Sequence, residues 1–479
     1  MLKHARPFST LLVATALAGC ATVGPNFSSP AAPQVTGYAM AGDPAAETLA
    51  PSAEVPALWW QAFSSPEIDA TVDAALRNNR TLAAADAALA RSEALAGVAR
   101  GGAAPSLDYR GTVARERVNT AAFGIEGFPN PTVSLYSVGA AASFDLDIFG
   151  GERRRIESAE ARAEAEGRRR DAAYLALSGN VVSNAIEIAE LRAQIAAADD
   201  VVAQDQRLLN LVQRAIAEGG QPRAAEVTAS AQLAEDEARL PPLRSQLAAS
   251  RHALAVLVGQ APGAWAAPDF SLDAIASPGA APVSAPSELV RNRPDILAAE
   301  ADLHAATADI GVATAALYPH ISLGAAFDLS ALDPSQVFNY ESSGWSIGPS
   351  LIGPLFHGGA LRQNQHAAQA GRDEAMARYQ QTVLTAFAQV SDLMQAAGHD
   401  RDLVSAQTRA ADAAQEHVRL SQLAYENGAG SLLTVIDAQR QAQRTRMDLV
   451  AAKARQRRDE AALFVAAAAD WRAGDYAAR

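Results

Sequence analysis

The chain has 479 residues, with 40 basic against 53 acidic side chains and a formal net charge of −13, which excludes the basic footprint of a nucleic-acid binder. Its single cysteine leaves no internal disulfide and no cysteine metal cluster. Hydrophobic residues make up 49% and aromatic residues only 6% of the chain, and past the N-terminal region no window approaches the ~18 apolar residues of a membrane-spanning helix.

Lys3 and Arg6 form a short positive head, followed by an apolar run from Phe8 to Ala18. That run has the length of a signal-peptide core and is too short to cross a bilayer. Ala18 and Gly19 precede Cys20, and the string LAGCATVGPNF resembles the lipobox of bacterial lipoproteins. The resemblance implies a signal peptide over 1–19 and a mature N-terminus at Cys20 carrying S-diacylglycerol and an N-acyl chain. Ala21, where Asp would retain the protein at the inner membrane, implies sorting to the outer membrane. Loss of Lys3 and Arg6 makes the mature chain two charges more negative, and residues 20–57 form its acylated N-terminal segment.

From residue 58 the sequence repeats itself. Residues 79–109 lie over 293–323 without a gap, so that Leu82 meets Ile296, Asp86 meets Glu300, Leu89 meets Leu303, Gly97 meets Gly311 and Pro105 meets Pro319. LDIFGGERRR from Leu146 matches GPLFHGGALR from Gly353, and AEGGQPRAAEV from Ala217 weakly matches YENGAGSLLTV from Tyr425. The chain is two copies of one unit of about 200 residues. The first, 58–258, reads as a helix, strands near 105–117 and 134–148, a long helix over 151–218 and a return helix over 222–258. A proline-rich connector covers 259–286. The second copy, 287–470, reads as a helix, strands near 319–330 and 344–356, a long helix over 359–427 and a return helix over 431–470, before a tail over 471–479.

The strands show a change of period from 3.6 to 2. Tyr136, Val138, Ala140, Ala142, Phe144, Leu146 and Ile148 alternate with Ser137, Gly139, Ala141, Ser143, Asp145 and Asp147, and Ile321 to Leu329 alternate in the same way. Leu107, Tyr109 and Val113 follow less cleanly, and Pro349 and Pro354 interrupt the segment from Trp345 to Leu355. Such alternation fits a sheet with one wet face or an outer-membrane barrel. With the lipobox, the barrel is the expectation. Four strands cannot close one, and open edges in hydrocarbon leave backbone groups unpaired, so the barrel has to be shared between chains.

Each long helix runs for about 68 residues, roughly 100 Å at ~1.5 Å per residue, so it must project away from a membrane. In the first, Tyr174, Leu177, Val181, Asn184, Ile188, Leu191, Ile195, Ala198, Val202, Asp205, Leu209, Val212 and Ile216 step by three and four, a heptad seam that packs lengthwise on other helices. Asn184 and Asp205 interrupt the seam, as register markers or in transport.

Other constellations read as structure. The eight histidines show no metal-ligand spacing, and no metal site is expected. The runs Arg153–Arg155 and Arg168–Arg170 alternate with acids like a solvated helix face. Glycine pairs at Gly150–Gly151 and Gly358–Gly359 fit tight bends. No catalytic motif is present, and no enzyme is expected.

Across nearly its whole mature length the chain resembles the outer-membrane efflux proteins of the TolC type, in the lipoprotein branch called NodT-like or OprM-like. The resemblance rests on CATVGPNF at Cys20, LWWQAFSSPEIDATVDAALRNNRTLAAADAAL from Leu58, RNRPDILAAEADLHAATADIGVATAALYPHISL from Arg291, GPLFHGGALR from Gly353 and YENGAGSLLTVIDAQR from Tyr425. It implies a mixed α and β fold: a homotrimer with a shared 12-stranded barrel in outer-membrane lipid and a long periplasmic helical barrel. It also implies a periplasmic adaptor of the membrane-fusion type and an inner-membrane RND transporter as partners, and a passive exit channel for small toxic compounds. A type I protein-secretion channel and, in a different class, a periplasmic coiled-coil adaptor or structural lipoprotein are the alternatives.

The resemblance also implies a gate where the long helices turn. Asp437 would form a ring of three carboxylates, or else cap an exposed helix end; Tyr425 would tie neighbouring helices shut, and Glu226 would add a second ring. Gly219, Gly220, Gly428, Gly430 and Ser431 at the helix tips would receive the adaptor. The first tip departs from the pattern, with Ala217 in the place of Tyr425 and Pro222 at the bend.

Overall fold

A computed structural model describes residues 22–31, 58–119, 129–279 and 286–467, together with a few single positions between them. Cys20 and the signal peptide lie outside the described residues. Among the described residues, a 3-10 turn, Trp59–Phe63, precedes helices α1 (Pro66–Asn78) and α2 (Arg80–Gly102) and strands β1 (Ser106–Arg117) and β2 (Thr132–Asp145). Then come α3 (Gly151–Ala217), α4 (Arg223–Glu237) and α5 (Leu240–Leu257). The second copy holds α6 (Pro286–Asn292), α7 (Pro294–Ala315), β3 (His320–Ala331), β4 (Ser343–Ile352), α8 (Ala360–Glu426) and α9 (Leu432–Ala467). α3 and α8 each have 67 residues.

The chain divides into two compact units. The first comprises the described residues of Met1–Pro30, Leu89–Glu166 and Ala299–Tyr379, and the second those of Ala31–Ala88, Gly167–Ala298 and Gln380–Arg479. The first unit holds a four-stranded sheet of order β1-β2-β3-β4, antiparallel throughout. The strand pairs of the two copies are joined, because β2 of the first copy pairs with β3 of the second, Ala140 opposite Phe327 and Phe144 opposite Leu323. β1 and β4 are the edges, and β4 carries Pro349, which an edge strand tolerates. The alternation read from sequence as far as Ile148 outlasts the ladder: β2 ends at Asp145, and the chain turns at Gly150, whose φ is +78°.

The second unit is helical. In α3, every position of the heptad seam is buried or half-buried, including Asp205, while Arg207 and Asn210 between them are exposed. Leu209 packs with Ala229 and Leu233 of α4, and Val212 packs with Leu432 and Ile436 of α9. The segment LWWQAF places Trp59 and Phe63 fully inside, with Trp59 stacked on Phe464 at 5.7 Å and donating Nε1–H to Ser178 Oγ at 3.3 Å. Asn79 caps α2, its Oδ1 accepting from the amides of Thr81 and Leu82 at 2.8 and 3.1 Å, a supply of acceptors that the free amides of a helix start require.

Two sequence readings need correction in this unit. The return helix expected over 222–258 is two helices, broken at Ala238–Arg239. Pro241 and Pro242 follow the break; neither can donate a backbone bond to the preceding turn, and proline is tolerated where a new helix starts. The connector expected over 259–286 does more than connect, since Phe270, Leu272 and Ile275 are buried in the second unit.

Candidate functional site

The sheet separates its side chains by chemistry. Leu107, Tyr109 and Val113 of β1, Tyr136, Val138 and Phe144 of β2, Leu323 and Phe327 of β3, and Trp345, Ile347 and Leu351 of β4 share one face by the ladder register. The other face carries Asp108, Arg110, Ser137, Gly139, Ser143, Gly324, Asp328, Ser346 and Ser350. The apolar face is open in the single chain, with Tyr109 92% and Trp345 77% exposed. An exposed apolar surface of this extent marks a face built for lipid or a partner.

The first unit also receives the segment that follows Cys20. Val23 donates its amide to the carbonyl of Phe149 at 3.0 Å, so residue 22 lies beside the turn at Gly150. A Cβ on Gly150 would come within 2.5 Å of Thr22 Cγ2, and one on Gly24 within 2.6 Å of Gly311 Cα. Arg154 closes the contact. Only 3% exposed, it donates to the carbonyls of Val23 (3.2 Å) and Gly24 (3.4 Å), to Asn26 Oδ1 (2.6 Å) and to Glu157 Oε2 (2.7 Å). Phe27 stacks on His304 at 4.4 Å, and His304 bonds Glu157 at 3.0 Å. Burial pushes the Glu157 carboxyl up, but Arg154 and His304 outweigh it and hold it below the usual glutamate range. The solvated arginine face expected at 153–155 is thus corrected at its centre: Arg153 and Arg155 are exposed or half-exposed and pair with Asp147 and Glu152, whereas Arg154 is a buried clasp.

In the second unit the helix tips share one device. Gly219 (φ +76°) and Gly428 (φ +73°) take the left-handed conformation just past α3 and α8. The next residue bonds back five positions: Gly220 to the carbonyl of Ala215 and Ala429 to that of Ala424, both at 2.8 Å. This is a Schellman cap. It aligns Gly219 with Gly428, so the residue in the place of Tyr425 is Ile216, not Ala217. Packing agrees, because Ile216 and Tyr425 both lie on the cluster of Val212, Leu432 and Ile436.

The remaining tip residues fall as follows. Ser431 caps α9, its Oγ accepting from the Thr434 amide at 3.2 Å. Gly430 passes so close to the preceding turn that a Cβ would meet the Tyr425 nitrogen at 3.0 Å. Glu226, half-buried, accepts from Gln213 Nε2 at 3.1 Å and so turns toward α3. Asp437 is exposed on α9, on the same stripe as the exposed Leu433, Arg440 and Arg444. The structure brings Tyr425 and the glycines together, and leaves Asp437 facing outward, away from the core of its own chain.

The model of the outer membrane efflux protein family matches residues 71–260 and 285–469. The chain is 29% identical to the pyoverdine export outer membrane protein OpmQ of Pseudomonas putida, over 87% of this chain and 88% of that one. It is also 29% identical to the toluene efflux pump outer membrane protein TtgI of Pseudomonas putida, over 95% and 96% of the two chains. A solved structure of the outer-membrane channel OprN superposes with a TM-score of 0.85 at 26% identity, covering 94% of this chain and all of that one. Because the matching model spans both copies of the repeat and most of the chain, the chain belongs to the outer membrane efflux protein family.

Proposed function

We propose that three copies of this chain close one barrel and serve as the passive exit channel of a tripartite pump. The observation that carries this reading is the sheet: its apolar face is exposed while, among the described residues, both edges, β1 and β4, stand unpaired. In hydrocarbon every unpaired backbone group costs several kcal/mol, so only a closed ring is tolerated. Because the four strands alternate in direction, β4 of one copy can meet β1 of the next in antiparallel fashion, and the ring closes without a break in the alternation. The polar or small face would then line the pore.

The lipid on Cys20 adds a second hold on the membrane, and the clasp at Arg154 ties its tether to the turn after β2. The tips, with Gly219, Gly220, Gly428, Gly430 and Ser431, are the surface we assign to a periplasmic adaptor, which links the channel to an inner-membrane RND transporter. Asp437, exposed on its own chain, faces its copies across the pore in this reading, where three like charges attract cations; Tyr425 ties neighbouring helices shut, and Glu226 adds a second ring. Pyoverdine and toluene, named for the two relatives, have no chemistry in common that one pocket would select. A conduit driven by the transporter needs no such pocket, and small toxic compounds are the class of cargo.

Light scattering of the acylated protein in mild detergent tests the assembly. The expected result is a mass of three chains with no folded monomer at any dilution that preserves the fold. A stable, well-folded monomer would overturn the shared barrel.

A further inference from the structure

Two pairs of aspartates bridge a long helix to its return helix. Asp205 of α3 and Asp236 of α4 are 3% and 1% exposed and face each other beside the contact of Leu209 with Ala229 and Leu233, with Asp205 Oδ2 and Asp236 Oδ1 both lacking a hydrogen-bond partner. From α4, Gln232 Nε2 donates to Asp236 Oδ2 at 2.5 Å, and Arg239 Nε lies 3.4 Å from Asp236 Oδ1. Arg239 is itself shared with Glu235 at 3.1 Å and Gln443 of α9 at 3.2 Å. From α9, Arg440 faces Asp205 and pairs with Glu235 at 3.6 Å. Asp205 Oδ2 receives no donor. In the second repeat Asp400 of α8, 1% exposed, faces Asp459 of α9, whose side chain is 28% exposed, and one arginine nitrogen reaches both. Arg455 Nε lies 3.1 Å from Asp400 Oδ1 and 3.6 Å from Asp459 Oδ2, His399 acts on the same charge, and Asp400 Oδ2 receives no donor.

Two facing carboxylates, at least one of them out of water, resist being ionised together, because each lacks a proton to donate and each repels the other. A single proton between them supplies the missing donor and removes one charge. We propose that each helical hairpin holds one structural proton, shared between Asp205 and Asp236 in the first repeat and between Asp400 and Asp459 in the second, which fastens the long helix to its return helix.

Burial, then the bond and the repulsion from Asp236, push the Asp205 carboxyl up to about 7, with Arg440 opposing. Burial and Asp459 push Asp400 up to about 6, with Arg455 and His399 opposing. In an opened hairpin the same groups return toward the ordinary aspartate value of 3.8. Between that value and the raised one, the closed form holds a proton that the open form has released. The closed hairpin is therefore most favoured in acid, and its advantage falls by up to about ten-fold per pH unit until the pair has ionised. The proposal rests on helix packing alone, so it stands or falls apart from the channel reading.

Amide hydrogen exchange on the purified acylated protein in detergent, from pH 5 to pH 8, tests it. With exchange corrected for its intrinsic pH dependence, protection around Asp205 and Asp236 is expected to fall by up to about ten-fold per unit to pH 7 and then level off. Around Asp400 and Asp459 protection is expected to fall with pH and level off in the same way, since the Asp400 carboxyl is raised by the same causes. Asp205→Asn, a neutral isostere of the protonated acid, should flatten the first profile while keeping protection at pH 8 at or above that of the unaltered chain. A flat profile in the unaltered protein, or a slope that survives Asp205→Asn, overturns the proposal. So does recovery of the pH 5 protection at pH 8 on adding calcium, which would give the pair to a metal ion.

Discussion

The two units use apolar side chains in opposite senses. In the helical unit they point inward: Trp59, Phe63, Val181, Val212 and Phe464 are buried, with only a few charged residues, Asp205, Asp236, Asp400, Arg457 and Glu460, buried among them. In the sheet the apolar side chains of β1 and β4, with Val138 of β2 and Leu323 and Phe327 of β3, point outward, and the small and polar ones form the other face. A single chain in water would gain nothing from the second arrangement. The contrast teaches that the helical unit and the sheet are built for different solvents, one for water and one for hydrocarbon.

The largest effect should come from the inward side. Trp59→Ala removes the side chain that stacks on Phe464 and bonds Ser178, and such a truncation costs about 3–5 kcal/mol. The midpoint of helical denaturation should drop steeply, and an unchanged midpoint would mean that the second unit has another core.

Next comes the outward side. Phe327 is opposite Trp345 on the apolar face, while Ser346, opposite Ala326, is on the other. Phe327→Arg should destabilise the inserted barrel by about 2–4 kcal/mol if its position is near the bilayer midplane, whereas Ser346→Arg, facing a pore, should leave insertion nearly intact. Denaturant titration in liposomes reads both, and equal costs would erase the distinction between faces.

These faces were legible because strand alternation is local and has period 2, and because the heptad seam of α3 repeats over many turns. Residues that depend on distant partners were not. Arg154 sits in a run of three arginines that looks solvated, and its partners Val23, Gly24 and Asn26 are far away in sequence. The tips were misaligned by one position because GlyGly in the first copy and AsnGly in the second offer two alignments, which only the left-handed φ of Gly219 and Gly428 distinguishes. The break between α4 and α5 had a visible signal in Pro241–Pro242, masked by the continuous pattern of its counterpart α9. The acid pairs needed the fold, since 31 positions separate Asp205 from Asp236 and 59 separate Asp400 from Asp459.

A smaller effect is expected at the clasp. Arg154→Ala strips donors from the carbonyls of Val23 and Gly24 and from Glu157, and a lost bond to a charged group is worth about 1.5–3 kcal/mol. Thermolysin should then cut within residues 22–31 faster, with palmitate labelling of Cys20 unchanged; an unaltered cutting rate would deny Arg154 its part. The smallest effect on stability should come from Asp437→Ala, within about 0.5 kcal/mol for an exposed side chain. Its signature would be lower cation preference in planar bilayers, and unchanged selectivity would remove Asp437 from the constriction.

The sheet's meeting with lipid is tested most directly by Trp345, which stands on the apolar face and is 77% exposed in the single chain. In liposomes containing brominated acyl chains, part of the tryptophan fluorescence should be quenched, that part should be inaccessible to aqueous acrylamide, and Trp345→Phe should abolish it. If brominated lipid quenches the Trp345→Phe protein as strongly as the unaltered one, or acrylamide reaches Trp345 freely, the apolar face does not meet hydrocarbon.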